Sequence, residues 1–77
     1  MTISVQVSVF GALRKPAGGA ELDIDLPAGS SVADAIAACG LEDRVDLWVL
    51  LDGNRAGRDL PLSDGSRLTF FSPVGGG

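Results

Sequence analysis

Ile3, Val5, Val7 and Val9 alternate with Ser4, Gln6 and Ser8. That period of two predicts a half-buried strand with its odd-numbered residues in the core. Pro16-Ala17-Gly18-Gly19 forms a turn cluster, after which Leu22, Ile24 and Leu26 alternate with Glu21, Asp23 and Asp25. The two segments read as a hairpin that ends at Pro27-Ala28-Gly29. The period then changes. Val32, Ala35, Ile36 and Cys39 recur at helical spacing and make one apolar stripe. Ser31, with Asp34 three residues on, resembles a capping box in which Asp replaces the usual Glu or Gln. Gly40 is the expected stop.

Leu47-Trp48-Val49-Leu50-Leu51 is a continuous apolar run, consistent with a buried strand, and Asp52-Gly53-Asn54 turns the chain. Arg55 to Asp59 is weakly patterned and reads as a short edge strand. Ser63-Asp64-Gly65-Ser66 is a further turn before a last strand, Arg67 to Phe71. The order β-β-α-β-(β)-β predicts an α+β fold: a mixed sheet of four to five strands with one helix packed across one face. In the last strand Leu68 and Phe70 form the core pair, leaving Phe71 with Arg67 and Thr69 on the other face. Phe10 falls on the polar face of the first strand if that strand runs unbroken to it. Two exposed phenyl rings would form a patch suited to partner docking; a bulge turning Phe10 inward is the alternative.

Length and composition narrow the classes. Seventy-seven residues make one domain near the lower end of what folds unaided, with 1–71 expected to be the folded unit and 72–77 a flexible tail. A lone Cys39 and the absence of histidine leave no credible zinc or iron–sulfur ligand set. Cys39 is expected to face the core as a small hydrophobe, not to act as a reactive thiol. The net charge is −4, and no Lys/Arg cluster offers the basic surface that nucleic-acid binding needs. The acidic balance serves solubility and suits docking onto a basic partner face. No run approaches the ~20 apolar residues of a membrane span, and the alternating first residues do not form a signal peptide. A cytoplasmic protein without nucleic-acid or membrane partners is expected.

The sequence closes on Phe70-Phe71-Ser72-Pro73-Val74-Gly75-Gly76-Gly77. Pro73 fixes its own φ and biases Ser72 towards an extended conformation. An extended chain from Ser72 to Gly77 reaches roughly 20 Å at ~3.3 Å per residue. Its tip carries no side chains and ends in a carboxylate. That is a probe suited to a narrow active site in another protein, although frayed glycines at a terminus would look the same.

Phe10-Gly11-Ala12-Leu13-Arg14 resembles the Phe-x-x-Leu-Arg segment of the MoaD/ThiS family of ubiquitin-like sulfur carriers, which share the β-grasp fold. Pro61-Leu62-Ser63-Asp64-Gly65 resembles that family's Pro-Leu-x-Asp-Gly segment. Phe70-Phe71-Ser72-Pro73-Val74 with Gly76-Gly77 resembles its Phe-Phe-Pro-Pro-Val-x-Gly-Gly ending, best in the molybdopterin synthase small-subunit branch. Ser72 stands where that branch has a first proline. The connection Leu41 to Asp46 is short, and Gly75 adds a third glycine, also common in thiamine-pathway carriers.

The resemblance implies that Gly77 carries the reacting carboxyl group, with Gly75 and Gly76 as the slender tail behind it. A ubiquitin-activating-like adenylyltransferase would consume ATP to adenylate Gly77. A sulfur donor protein would displace AMP and leave a thiocarboxylate for the molybdopterin synthase large subunit or an equivalent acceptor. The chain itself would bind no cofactor or metal and would be a co-substrate, with catalysis on its partners. Phe10, Arg14, Phe71, Pro73 and Val74 are the implied partner-binding residues, Arg14 reading equally as a solvated charge. Delivery to thiamine thiazole or another sulfur-containing metabolite, attachment to lysines as a protein modifier, and a plain interaction domain remain open.

Overall fold

The computed structural model describes residues 1–42 and 47–72; Pro73, Val74, Gly75, Gly76 and Gly77, named above as tail and partner-binding residues, lie outside them. The first alternating segment becomes β1 (Thr2–Val9), and the second becomes β2 (Glu21–Pro27). They pair antiparallel with Val5 opposite Ile24. Their apolar residues point to one face, burying Ile3, Val5, Val7, Val9 and Leu26. β5 (Arg67–Phe71) inserts on the other side of β1 and runs parallel to it, Val9 opposite Phe70. β3 (Trp48–Leu51) pairs antiparallel with β5, and β4 (Asn54–Arg55) closes that side. The sheet order is β2-β1-β5-β3-β4. A mixed five-stranded sheet holding a helix on one face is the β-grasp arrangement.

The connection between β1 and β2 departs from the expected hairpin turn and adds a second helix to the one expected. It forms a 3-10 turn at Gly11–Leu13 that runs into α1 (Arg14–Ala17). Pro16 is tolerated there because it falls in the first turn, where its missing N–H would have no intrahelical acceptor. The connection also buries Leu13. Gly18 ends α1 with φ 90°, a left-handed conformation that a Cβ would disfavour.

The principal helix is α2 (Val32–Ala38), and its buried stripe is the expected one, Val32, Ala35 and Ile36 followed by Cys39. Its first backbone donors are all answered. The Ser31 and Asp34 side chains cap reciprocally, Asp34 Oδ2 accepting from Ser31 N at 2.8 Å and Ser31 Oγ from Asp34 N at 3.4 Å. Val32 N donates to the Leu60 carbonyl at 2.9 Å, and Ala33 N to that of Arg58 at 2.8 Å. At the other end Gly40, with φ 76°, closes a Schellman turn: Leu41 N reaches Ile36 O and Gly40 N reaches Ala37 O, each at 3.0 Å.

Two further expectations are corrected. The edge strand placed at Arg55 to Asp59 is only Asn54–Arg55. Asp52 and Gly53, both at positive φ, make the tight turn that fixes this register. The apolar run Leu47 to Leu51 is not buried throughout, since Trp48, Leu50 and Leu51 are half-buried and only Val49 is buried. The cause is the layer count: α2 covers one face of the sheet, and Trp48 and Leu50 lie on the other.

Candidate functional site

β1 and β5 are parallel, so Val9–Phe10 and Phe70–Phe71 lie at the same end of the sheet. β3 runs the opposite way, which brings its first residue, Trp48, to that end, directly opposite Phe71. Phe70 is fully buried beside Val9 and Val49, so Phe71 and Trp48 stand on the uncovered face. Their ring centroids are 5.9 Å apart with a 43° tilt. Phe10 keeps the extended conformation, φ −117° and ψ 150°, and its N–H donates to the Phe70 carbonyl at 3.1 Å. The alternation of β1 therefore continues one residue further, and no bulge turns Phe10 inward; the residue is 50% exposed. Phe10, Trp48 and Phe71 thus share one end of one face, where the chain leaves β5 for Ser72.

Arg55 adds a cation to this end. Its guanidinium carbon lies 3.9 Å from the centroid of the Trp48 ring, within cation–π range. Neither Trp48 nor Arg55 was singled out by sequence reasoning. A continuous apolar run hides which residues face outward, and only pairing with the Phe70-Phe71 parity reveals it. Further from the exit the same face turns polar, with Gln6, Ser8, Glu21, Asp23, Arg67 and Thr69 around a broad shallow depression.

Arg14 is exposed, and its Nε donates to the Val9 carbonyl at 3.1 Å. That bond fastens the end of β1 to α1, a structural task. The Pro-Leu-x-Asp-Gly segment is structural too. Pro61 bridges to Ser31, Leu62 N donates to Ser30 O at 2.8 Å, and the Leu62 side chain is buried. Asp64 Oδ1 accepts from Ser4 N at 2.7 Å, and Gly65 N donates to Ser4 O at 2.7 Å. This segment ties the N-terminus of α2 to β1.

Cys39 is buried, and burial pushes its thiol above the ordinary value of 9.0. That favours the unreactive thiol form. Among the described residues no group of His, Cys, Asp and Glu is placed to hold a metal ion, and no helix is long and apolar enough to cross a membrane. The residues at the exposed end of the sheet offer apolar area, a ring face and one cation. They can bind a surface; they hold no acid–base pair for bond breaking.

The ThiS family model matches residues 7–77. A putative molybdopterin converting factor subunit 1 from Pyrococcus furiosus superimposes with a TM-score of 0.80 at 27% identity, covering 94% of this chain and 99% of its own. SAMP1 from Haloferax volcanii superimposes with a TM-score of 0.78 at 25% identity, covering 96% of this chain and 99% of its own. Protein RnfH of Burkholderia mallei is 40% identical over 57 residues, 66% of this chain. The match spans about half of that relative's length, 52%.

Proposed function

The chain belongs to the ThiS family, and we propose that it serves as a sulfur carrier whose Gly77 carboxylate becomes a thiocarboxylate for molybdopterin synthesis. A carboxylate is a poor electrophile, so the first step joins Gly77 to AMP and releases pyrophosphate from ATP on a ubiquitin-activating-like adenylyltransferase. A persulfide on the donor protein then attacks the acyl carbon and expels AMP, and a second thiol cleaves the acyl disulfide so formed, releasing the thiocarboxylate and leaving a disulfide on the donor. The resulting thiocarboxylate is nucleophilic at neutral pH and passes its sulfur on at the molybdopterin synthase large subunit or an equivalent acceptor. Each bond change at Gly77 is catalysed in a partner's active site, and this chain contributes a docking face and the reacting end.

The observation that carries the reading is the gathering of Phe10, Trp48 and Phe71 on the uncovered face beside the exit of β5. Ordering Val74 to Gly77 in a partner costs on the order of 4–8 kcal/mol, at ~1–2 kcal/mol per residue. Glycines bring almost no apolar area to offset that cost. Each apolar side chain buried on docking contributes ~1.5–3 kcal/mol, so rings next to the exit are where compensation is most useful. The likeness to molybdopterin converting factor subunit 1 supports the choice of pathway.

Attachment to lysines as a modifier is the second reading, and the likeness to SAMP1, a small archaeal modifier protein, favours it. ATP–pyrophosphate exchange with the host's adenylyltransferase tests what both readings share. Deletion of Gly77 should abolish exchange while leaving thermal melting unchanged. Normal exchange with the shortened chain would refute activation at this residue.

A further inference from the structure

β2 ends the sheet on the side away from β4, and the hydrogen-bond phase of the β1–β2 ladder shows which of its backbone groups are unused. Val9 N donates to Ala20 O at 2.7 Å, and Ala28 N donates to Met1 O at 2.8 Å. In an antiparallel ladder such bonded pairs alternate with unbonded ones. Leu22, Ile24 and Leu26 therefore turn their N–H and C=O groups towards β1. Glu21, Asp23 and Asp25 turn theirs outward, with no β-strand partner among the described residues. Pro27 closes the edge, since it has no N–H and its carbonyl accepts from Ser30 N and Ser30 Oγ.

The side chains alternate in step. Glu21, Asp23 and Asp25 are exposed, while Leu22 and Ile24 pack on the core yet remain only half-buried. The residues of β1 opposite the three acids are Ser8, Gln6 and Ser4, all uncharged. The edge thus presents free backbone donors and acceptors, an apolar flank on one face and, on the other, an acidic row whose nearest cation on that face, Arg67, lies two strands away on β5.

We propose that the edge of β2 is a second docking site, which takes an extended segment of a partner protein as an added strand. Lysine or arginine at alternate residues lies beside Glu21, Asp23 and Asp25, and apolar residues between them lie beside Leu22 and Ile24. Main-chain hydrogen bonds supply affinity in such an addition, and alternate side chains supply specificity. A second copy of this chain is a poor occupant. Pairing two β2 strands antiparallel about Asp23 sets Asp23 against Asp23 and Glu21 against Asp25, and like charges directly opposite are destabilising. The site does not depend on sulfur transfer. β2 lies two strands from β5, so an added strand leaves Phe71 and Trp48 uncovered.

The test uses amide hydrogen exchange read by NMR on the full chain with acetyl-Lys-Val-Lys-Val-Lys-Val-Lys-amide. A peptide of the same composition in block order, four lysines and then three valines, is the control. The alternating peptide is expected to slow exchange at Glu21, Asp23 and Asp25 and to leave Leu22 and Ile24 as they were, with the block peptide giving no such pattern. Asp23→Pro removes one outward N–H without touching a bond to β1. It should bind about five- to tenfold more weakly than Asp23→Asn, which keeps that donor. Should Asp23→Pro fail to fold, Asp25→Lys, which places a cation in the acidic row, takes its place and should weaken binding. Equal binding of both peptides, protection centred on Trp48 and Phe71, or a peptide-free dimer paired through β2 would each overturn the proposal.

Discussion

Arg55 rests over Trp48, its guanidinium carbon 3.9 Å from the ring centroid, and Trp48 in turn leans on Phe71 across the β3–β5 pair. A long, entropy-rich side chain and a large ring are thereby ordered before any partner arrives. Pre-ordering lowers the cost of docking. An exposed contact of this kind contributes ~0.5–1 kcal/mol to the free protein.

Trp48 is the sole tryptophan, and the chain has no tyrosine, so intrinsic fluorescence reports on this face alone. Docking of the adenylyltransferase should shift the emission of Trp48 to the blue, read with a partner whose own tryptophans are replaced. Arg55→Ala should change the emission of the free chain and lower stability by no more than ~1 kcal/mol. An unchanged spectrum on binding would remove Trp48 from the interface.

Phe70 and Phe71 are neighbours with opposite surroundings, one fully buried and one half-buried on the uncovered face. Phe70→Ala should cost ~3–5 kcal/mol in a denaturant melt. Phe71→Ala should cost far less stability and should weaken partner affinity measured by calorimetry. If Phe71→Ala proves the more destabilising, the uncovered face is not the docking face.

Ser31→Ala removes one half of the capping box at α2 and should cost ~1 kcal/mol, read by thermal melting. Activation by the adenylyltransferase should be unaffected below the melting transition, because the cap lies in the layer away from the docking face.

Burial raises the Cys39 thiol above 9.0 in the folded chain. The folded state therefore holds its proton to higher pH than the unfolded state does. The stability this contributes is complete below the unfolded value and declines as pH rises through and beyond it. Denaturant melts with wild type and Cys39→Ala should diverge in pH dependence only in that alkaline window. Iodoacetamide should label Cys39 at the rate of unfolding, not at the rate of an exposed thiol.

Much of this architecture is legible along the chain because local signals agree with one another. The odd residues of β1, the Ser31–Asp34 cap and the Gly40 stop each follow from a spacing that one element alone satisfies. The short α1 is not legible, since Pro16-Ala17-Gly18-Gly19 carries turn chemistry and only the burial of Leu13 shows that the connection folds back onto the core. Phe71 could be assigned from parity alone, whereas for Phe10 parity left a bulge open and the extended backbone, φ −117° and ψ 150°, decides it. Trp48 and Arg55 could not be assigned that way, because their placement depends on which strands neighbour β5, a long-range pairing that local periodicity does not encode. The motif residues divide in the same way. Asp64 and Leu62 read as family signature, and their bonds to Ser4 and Ser30 show them to be structural.

Gly76→Ala places a methyl group on the slender segment next to the reacting carboxyl. Single-turnover sulfur transfer should slow by at least about tenfold, with domain stability unchanged, if the acceptor channel admits only backbone. Unimpaired transfer would contradict that picture of the tail.

The most direct measurement is the intact mass of the chain recovered from its native host after lysate is incubated with ATP and sulfide. Conversion to a thiocarboxylate replaces one terminal oxygen with sulfur, and fragmentation should localise the change to Gly77. A chain that keeps its carboxylate under these conditions, or carries the change at another residue, would contradict the sulfur-carrier function.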